Sequence, residues 1–297
     1  MSAVRERIRG SIPALITPMK DGKVDDAAFR RLVNWQIAQG SHGLVPCGTT
    51  GESPTLSHDE QARVIGICVE EARGRVPVIA GAGSNSTAEV IALTKRAKAA
   101  GADAVLSVTG YYNKPSQEGL YRHYAAIADA VDIPIIVYNI PGRAIVEISV
   151  ETMGRLAQLA GVIGVKDATA NLARPIRERA ACGTSWRMLS GEDATTLGYM
   201  VQGGHGCISV TANVAPKLCA DFQNACQQGA WDTALALQER LMPLHDAMFV
   251  EPSPAPVKYA GSLLGICSDE VRLPLVAASD AARARVREAM SAARLQA

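Results

Sequence analysis

Eight short apolar runs, each followed by a longer stretch of helical character, organise most of the chain and leave few folds open to it. The runs cover residues 12–17, 43–47, 76–81, 103–109, 133–138, 162–167, 186–190 and 206–210. They start roughly 20–35 residues apart, the length of one strand-plus-helix unit. Short apolar runs of this kind read as parallel strands buried on both faces. Ser57 with Glu60, and Ser86 with Glu89, match the S-x-x-E capping box and predict two helix starts. Gly101 is placed to end the helix that Ser86 opens. Eight such units favour a closed (β/α)8 TIM barrel, of the α/β class, over an open doubly wound sheet. Beyond about residue 212 the strand pattern stops, and the remaining chain reads as helices broken at Glu251-Pro252-Ser253-Pro254-Ala255-Pro256. The expected organisation is a catalytic barrel over residues 1–229 and a C-terminal helical region over 230–297, serving as a cap or in subunit assembly.

Composition narrows the function. The chain has 297 residues, 48% of them hydrophobic, enough for a sizeable core. Thirty basic and 29 acidic residues leave a net charge of +1, which argues against a nucleic-acid or anionic-membrane surface. The basic run Arg283-Ala284-Arg285-Val286-Arg287 reads as a solvated helix face. Seven scattered cysteines without a C-x-x-C pair fit reduced thiols in the cytoplasm. Five histidines without H-x-H or H-E-x-x-H spacing give no support for a metal site. Residues 1–10 are charged, and no run of about 18 apolar residues occurs, so neither a signal peptide nor a membrane span is expected.

The chemistry should sit at the carboxyl ends of the strands. Lys166 closes the sixth run. An amine held there by an apolar wall loses hydration, which disfavours the ammonium and frees a neutral nucleophile. The alternative is a solvated lysine on a loop. After the second run, Gly48-Thr49-Thr50-Gly51-Glu52-Ser53 sets two hydroxyls between glycines. The backbone there can approach a ligand and its amides can hold a carboxylate, or the segment is an ordinary tight turn. Gly81-Ala82-Gly83-Ser84-Asn85 is half a dinucleotide loop without its third glycine and is discounted. Tyr111 and Tyr112 end the fourth unit, and adjacent side chains in an extended segment point apart, so both cannot readily pack. Tyr138, closing the fifth run, projects near Lys166, and Arg143 beyond it suits a bidentate carboxylate contact. Core packing for Tyr138 and a surface ion pair for Arg143 are the alternatives. Together, a lysine, two hydroxyl-bearing turns, a tyrosine and an arginine on one rim suit imine chemistry on a 2-oxo acid.

These motifs, Gly48-Thr49-Thr50-Gly51-Glu52, Tyr111-Tyr112-Asn113-Lys114-Pro115, Tyr138-Asn139-Ile140-Pro141-Gly142-Arg143 and Val165-Lys166-Asp167, resemble the dihydrodipicolinate synthase family. That family belongs to the pyruvate-dependent lyase superfamily that includes N-acetylneuraminate lyase. The similarity runs from about residue 11 to 275 and includes Gly204-His205-Gly206-Cys207-Ile208-Ser209-Val210. The resemblance implies condensation of pyruvate with L-aspartate 4-semialdehyde in lysine and diaminopimelate biosynthesis. The pyruvate is held as a covalent imine on Lys166, with no cofactor and no metal. It implies a proton relay of Tyr138, Thr49 and Tyr112, with Tyr112 reaching a neighbouring subunit in a homotetramer built as a dimer of dimers. Thr50 and main-chain groups near Gly191 and Ile208 would hold the pyruvate carboxylate, and Arg143 that of the semialdehyde. It also implies a lysine effector site near Ser53, His58, Asn85, Glu89 and Tyr111. Three positions depart from the family pattern: Gln61 and Pro54 around the effector site, and Gly110 before the tyrosines. The rival readings are another pyruvate-dependent Schiff-base aldolase acting on a 2-oxo-3-deoxy sugar acid, and a non-catalytic barrel that binds an oxo acid.

Overall fold

The computed structural model describes residues 2–295, so the outer limits of the two expected regions, residues 1, 296 and 297, lie outside it. Seven parallel strands lie side by side in the order β1-β9-β8-β7-β6-β5-β4. They are β1 (Gly10–Pro13), β4 (Ile79–Gly81), β5 (Ala104–Val108), β6 (Ile135–Asn139), β7 (Val162–Asp167), β8 (Arg187–Ser190) and β9 (Gly206–Ser209). The second apolar run closes the ring between β1 and β4. Leu44 bridges Val78 and Val45 bridges Ala14, and the backbone then turns left-handed at Cys47, which cuts this stave short. A hairpin of β2 (Met19–Lys20) and β3 (Lys23–Val24), absent from the sequence pattern, follows β1.

Helices α1 (Ser2–Arg7), α2 (Asp26–Ala38), α3 (His58–Ala72), α4 (Thr87–Ala99), α5 (Gln117–Ala130), α6 (Pro141–Ala144), α7 (Val150–Leu156), α8 (Arg174–Cys182), α9 (Thr196–Val201) and α10 (Pro216–Gln227) accompany the strands. Then come α11 (Trp231–Ala247), α12 (Ala255–Leu263) and α13 (Asp280–Ala292), with the proline tract between α11 and α12 as expected. The capping box at Ser57 and Glu60 forms with both reciprocal hydrogen bonds. The one expected at Ser86 does not. Ser86 makes no side-chain cap, and Glu89, which would complete the box, turns to Ser84 and His58 instead. Gly101 follows α4 with φ +90, as a helix-ending residue should. Of the basic run in α13, Arg285 and Arg287 are exposed, whereas Val286 is buried and Arg283 pairs with Asp269.

The core has two layers. An outer one packs strands against helices, and an inner one, including Ile12, Ala14, Val45, Ile79, Leu106, Ile136, Ile163 and Ile208, fills the barrel. Ile8 joins the inner layer as a fully buried plug at the amino end. The segment is held by an ion pair of Glu6 with Arg187 and a bond from Arg7 to the Gly74 carbonyl.

One irregularity matters for the site. Ile135 pairs with Val162 but Ile136 with Gly164, so Ile163 is an extra residue in β7. Val162 and Val165 both pack in the outer layer, while Ile163 packs in the inner one. Strict alternation from Val162 would send residue 166 outward. The bulge resets the phase, and Lys166 comes level with Tyr138 on the inner face.

Behind Lys166, on the helix side, the buried Arg174 gathers the buried Glu178 and Asp167 and the exposed Glu147. Its Nε donates to Glu178 at 2.7 Å, its two terminal nitrogens donate to Glu147 and to the Ile148 carbonyl, and Asp167 lies 3.9 Å away. Burial pushes the Glu178 carboxyl up to about 7, against the pull of Arg174 and with the added repulsion of Asp167. The folded chain therefore keeps a proton, between the usual value of 4.5 and about 7, that the unfolded chain has lost. Stability then falls as pH rises through that window, by on the order of 3 kcal/mol in total. Glu178→Gln should lower the slope of melting temperature against pH there; equal slopes in variant and wild type would contradict the assignment.

Candidate active site

Lys166 and Tyr138 are both largely buried, 6% and 7% exposed, although each carries a polar tip. The Lys166 Nζ lies over the Tyr138 ring, 4.2 Å from its centroid. Tyr138 is anchored by its carbonyl, which accepts both the amide and the hydroxyl of Thr109, at 2.9 and 2.8 Å. Together with Thr49, Gly48 and apolar residues of four staves, the pair lines a recess of about 40 Å³.

The recess requires its glycines. A Cβ on Gly191 would stand 2.9 Å from Lys166 Cε and 3.0 Å from its Cγ. One on Gly81 would stand 2.0 Å from the Cys47 carbonyl oxygen, and one on Gly83 2.6 Å from Val108. The segment set aside as half a dinucleotide loop is therefore where backbones approach most closely. The Gly191 amide already donates to the Asp167 carbonyl at 2.6 Å, so this residue leaves space for the lysine and has no hydrogen free for a ligand. Ile208 is buried in β9 within the inner layer, and Thr50 is buried beside the exposed Thr49.

The recess opens into a larger cavity of about 380 Å³ that shares Cys47, Thr49, Ser53, Gly81, Gly83 and Val108 with it. Arg143, in α6, lines this outer cavity. It is exposed and enters no salt bridge among the described residues, so the surface-pair alternative does not hold there. Ser53, His58, Glu89 and Tyr111 also face the outer cavity, with Gln61 and Pro54. Asn85 does not; its carbonyl accepts Asn113 Nδ2 at 2.9 Å. Glu89 accepts from Ser84 at 2.5 Å and meets His58 Nε2 at 3.2 Å. The Ser84 hydroxyl, with His58 after it, holds the Glu89 carboxyl below its usual range. Gln61 Nε2 donates to the Ser53 carbonyl at 2.9 Å.

Tyr112 stands apart from this chain's recess. It is 86% exposed, with a left-handed backbone at φ +70. Its loop is tied down by Asn113, and Gly110 lies against Pro115. Among the described residues no cluster of three metal-ligating side chains occurs, and no helix is long and apolar enough to cross a membrane.

A closed parallel barrel with an inward lysine at a strand's carboxyl end, stacked on a tyrosine in a recess that shares its lining with a larger cavity, is the arrangement of an α/β-barrel lyase. The sequence pattern of the dihydrodipicolinate synthetase family matches residues 7–293. The 4-hydroxy-tetrahydrodipicolinate synthase of Parvibaculum lavamentivorans is 66% identical over 97% of this chain and 99% of its own. Among solved structures, dihydrodipicolinate synthase from Aquifex aeolicus is similar, with a TM-score of 0.95, 43% identity, and 97% and 99% of the two chains covered. So is the chloride-inhibited dihydrodipicolinate synthase of Acinetobacter baumannii complexed with pyruvate, with a TM-score of 0.95, 44% identity, and coverage of 97% and 100%. The chain belongs to the dihydrodipicolinate synthetase family.

Proposed function

We propose that the protein is a 4-hydroxy-tetrahydrodipicolinate synthase, condensing pyruvate with L-aspartate 4-semialdehyde through an imine on Lys166, in the route to diaminopimelate and lysine. The observation that carries this is Lys166 Nζ seated over Tyr138 in a recess that also holds Thr49. The neutral amine adds to C2 of pyruvate, and water leaves as the imine forms. Loss of a methyl proton gives an enamine, whose carbon attacks the aldehyde of the second substrate. That substrate's amino group then displaces Lys166 and closes the ring. Tyr138 and Thr49 move the protons, with Tyr112 from a neighbouring subunit as the outer member of the relay. Thr50 and the backbone near Ile208 hold the pyruvate carboxylate. No cofactor enters this scheme.

The test is borohydride reduction with pyruvate, read by mass spectrometry, followed by a coupled assay with the semialdehyde. A reduced pyruvyl adduct on Lys166 and turnover are expected. No adduct would end the proposal. Adduct with cleavage of a 2-oxo-3-deoxy sugar acid, and none with the semialdehyde, would give the site to the aldolase reading.

Arg143, unpaired at the mouth, answers the carboxylate of the second substrate. Arg143→Ala should raise the semialdehyde KM about tenfold or more while leaving borohydride trapping intact. Loss of trapping in that variant would move Arg143 into the pyruvate site.

The part of the outer cavity lined by Ser53, His58, Glu89 and Tyr111 suits an amino-acid effector, and we assign that part to lysine, leaving the Arg143 side to the substrate. Titrating lysine into the turnover assay decides this. We place the enzyme in the cytoplasm, its seven cysteines being free. The assembly we propose is a homotetramer, a dimer of dimers, which gives the exposed Tyr112, Leu172, Ile176 and Val201 a partner. Residues 1–229 make the catalytic barrel and 230–297 the C-terminal helical region.

A further inference from the structure

The loop that brings Thr49 and Thr50 to the recess ends at Glu52, whose backbone is left-handed at φ 56 and ψ 34. Residues with a Cβ rarely adopt that conformation, so something must hold it. The Glu52 side chain is fully buried and forms an ion pair with the equally buried Lys258 of α12. Its other carboxylate oxygen accepts the Arg272 amide at 2.9 Å, and Lys258 Nζ also donates to the Glu270 carbonyl at 2.7 Å. The segment turns left-handed here, as it does at Cys47. The Glu52 amide donates to the Thr49 carbonyl at 3.1 Å, and the Gly51 carbonyl next to it accepts from Thr17 at 2.7 Å.

Two charges removed from water are a poor way to strengthen a fold, since apolar residues of the same volume serve as well or better. A buried carboxylate with an ammonium against one oxygen and a backbone amide donating to the other does something else: it resists displacement of the loop that carries it. We propose that the buried Glu52–Lys258 pair is the positioning element of the pyruvate-binding loop, with Lys258 acting through Glu52 on the placement of Thr49 and Thr50. The C-terminal helices thereby take part in forming the site. This rests on Lys166 being the imine-forming residue.

The test compares the full-length wild type with Lys258→Met and with Glu52→Gln/Lys258→Met. The double variant leaves no unmatched buried charge and remains informative if the single one fails to fold. In the double variant the pyruvate concentration for half-maximal borohydride trapping should rise about tenfold and kcat should fall about tenfold, with the semialdehyde KM within about twofold of wild type. Its circular dichroism spectrum should be unchanged. A folded double variant that is trapped and turns over like the wild type would overturn the proposal. An unfolded double variant would also overturn it, making the pair a folding element. Failure of the wild type itself to be trapped would instead sink the Lys166 reading.

Discussion

Gly191→Ala should lower turnover by about two orders of magnitude. The added methyl would lie 2.9 Å from Lys166 Cε and 2.9 Å from the Ala168 Cβ. Something must yield: the lysine chain can swing aside, whereas the Ala168 Cβ is fixed to its backbone and moves only with its segment. In another protein a shifted lysine would cost little. Here its Nζ leaves its place over Tyr138, and a displacement of about 1 Å at a reacting atom is enough for a loss of this size. The melting temperature should move by only a few degrees, while the rate of borohydride trapping falls with kcat. A variant trapped as fast as the wild type would show that the lysine does not depend on the space Gly191 leaves.

Gly164→Ala should act in the opposite way, mainly on stability. Its Cβ would come 2.3 Å from the carbonyl oxygen of Arg187 in the neighbouring strand. That atom belongs to a paired ladder, Gly164 with Arg187, and cannot rotate aside. Overpacking against backbone costs on the order of 3 kcal/mol, a fall in melting temperature of roughly 5–10 °C for a chain this long. Activity should fall as well, because the residue lies within the bulge that turns Lys166 inward. Gly66→Ala is the natural control. It sits inside α3 with nothing within 4 Å of a new methyl, so it should be neutral or stabilising by about 0.5–1 kcal/mol. Equal melting temperatures for Gly164→Ala and the wild type would contradict the close approach between β7 and β8.

The barrel was legible because its signal is periodic. Eight apolar runs, each one strand-plus-helix unit from the next, favour eight staves, and seven appear as strands with the eighth as a short closing segment. Lys166, Tyr138 and Thr49 were legible as strand-end residues, and they do share a recess. The inward direction of Lys166 was not. It comes from one extra residue, Ile163, and nothing in the composition of a four-residue apolar run marks which member bulges. Gly164 was the available hint, since glycine within a strand often marks a bulge or a close backbone contact. Gly81 and Gly83 resemble a phosphate-loop template, and their real role is the contact each makes with a neighbouring backbone or side chain. Ser86 and Glu89 match a capping pattern locally, but Ser84 and His58 compete for the same carboxylate. Glu52 stood in a recognised motif without a role, because its partners are far along the chain, Arg272 being 220 residues away.

The Ile8 plug has a kinetic corollary. The plug and the side chains that fill the barrel leave the Lys166 recess facing the outer cavity. On the proposed imine chemistry the aldehyde has nothing to react with until the ketone has bonded to that lysine, so pyruvate adds first and the semialdehyde second.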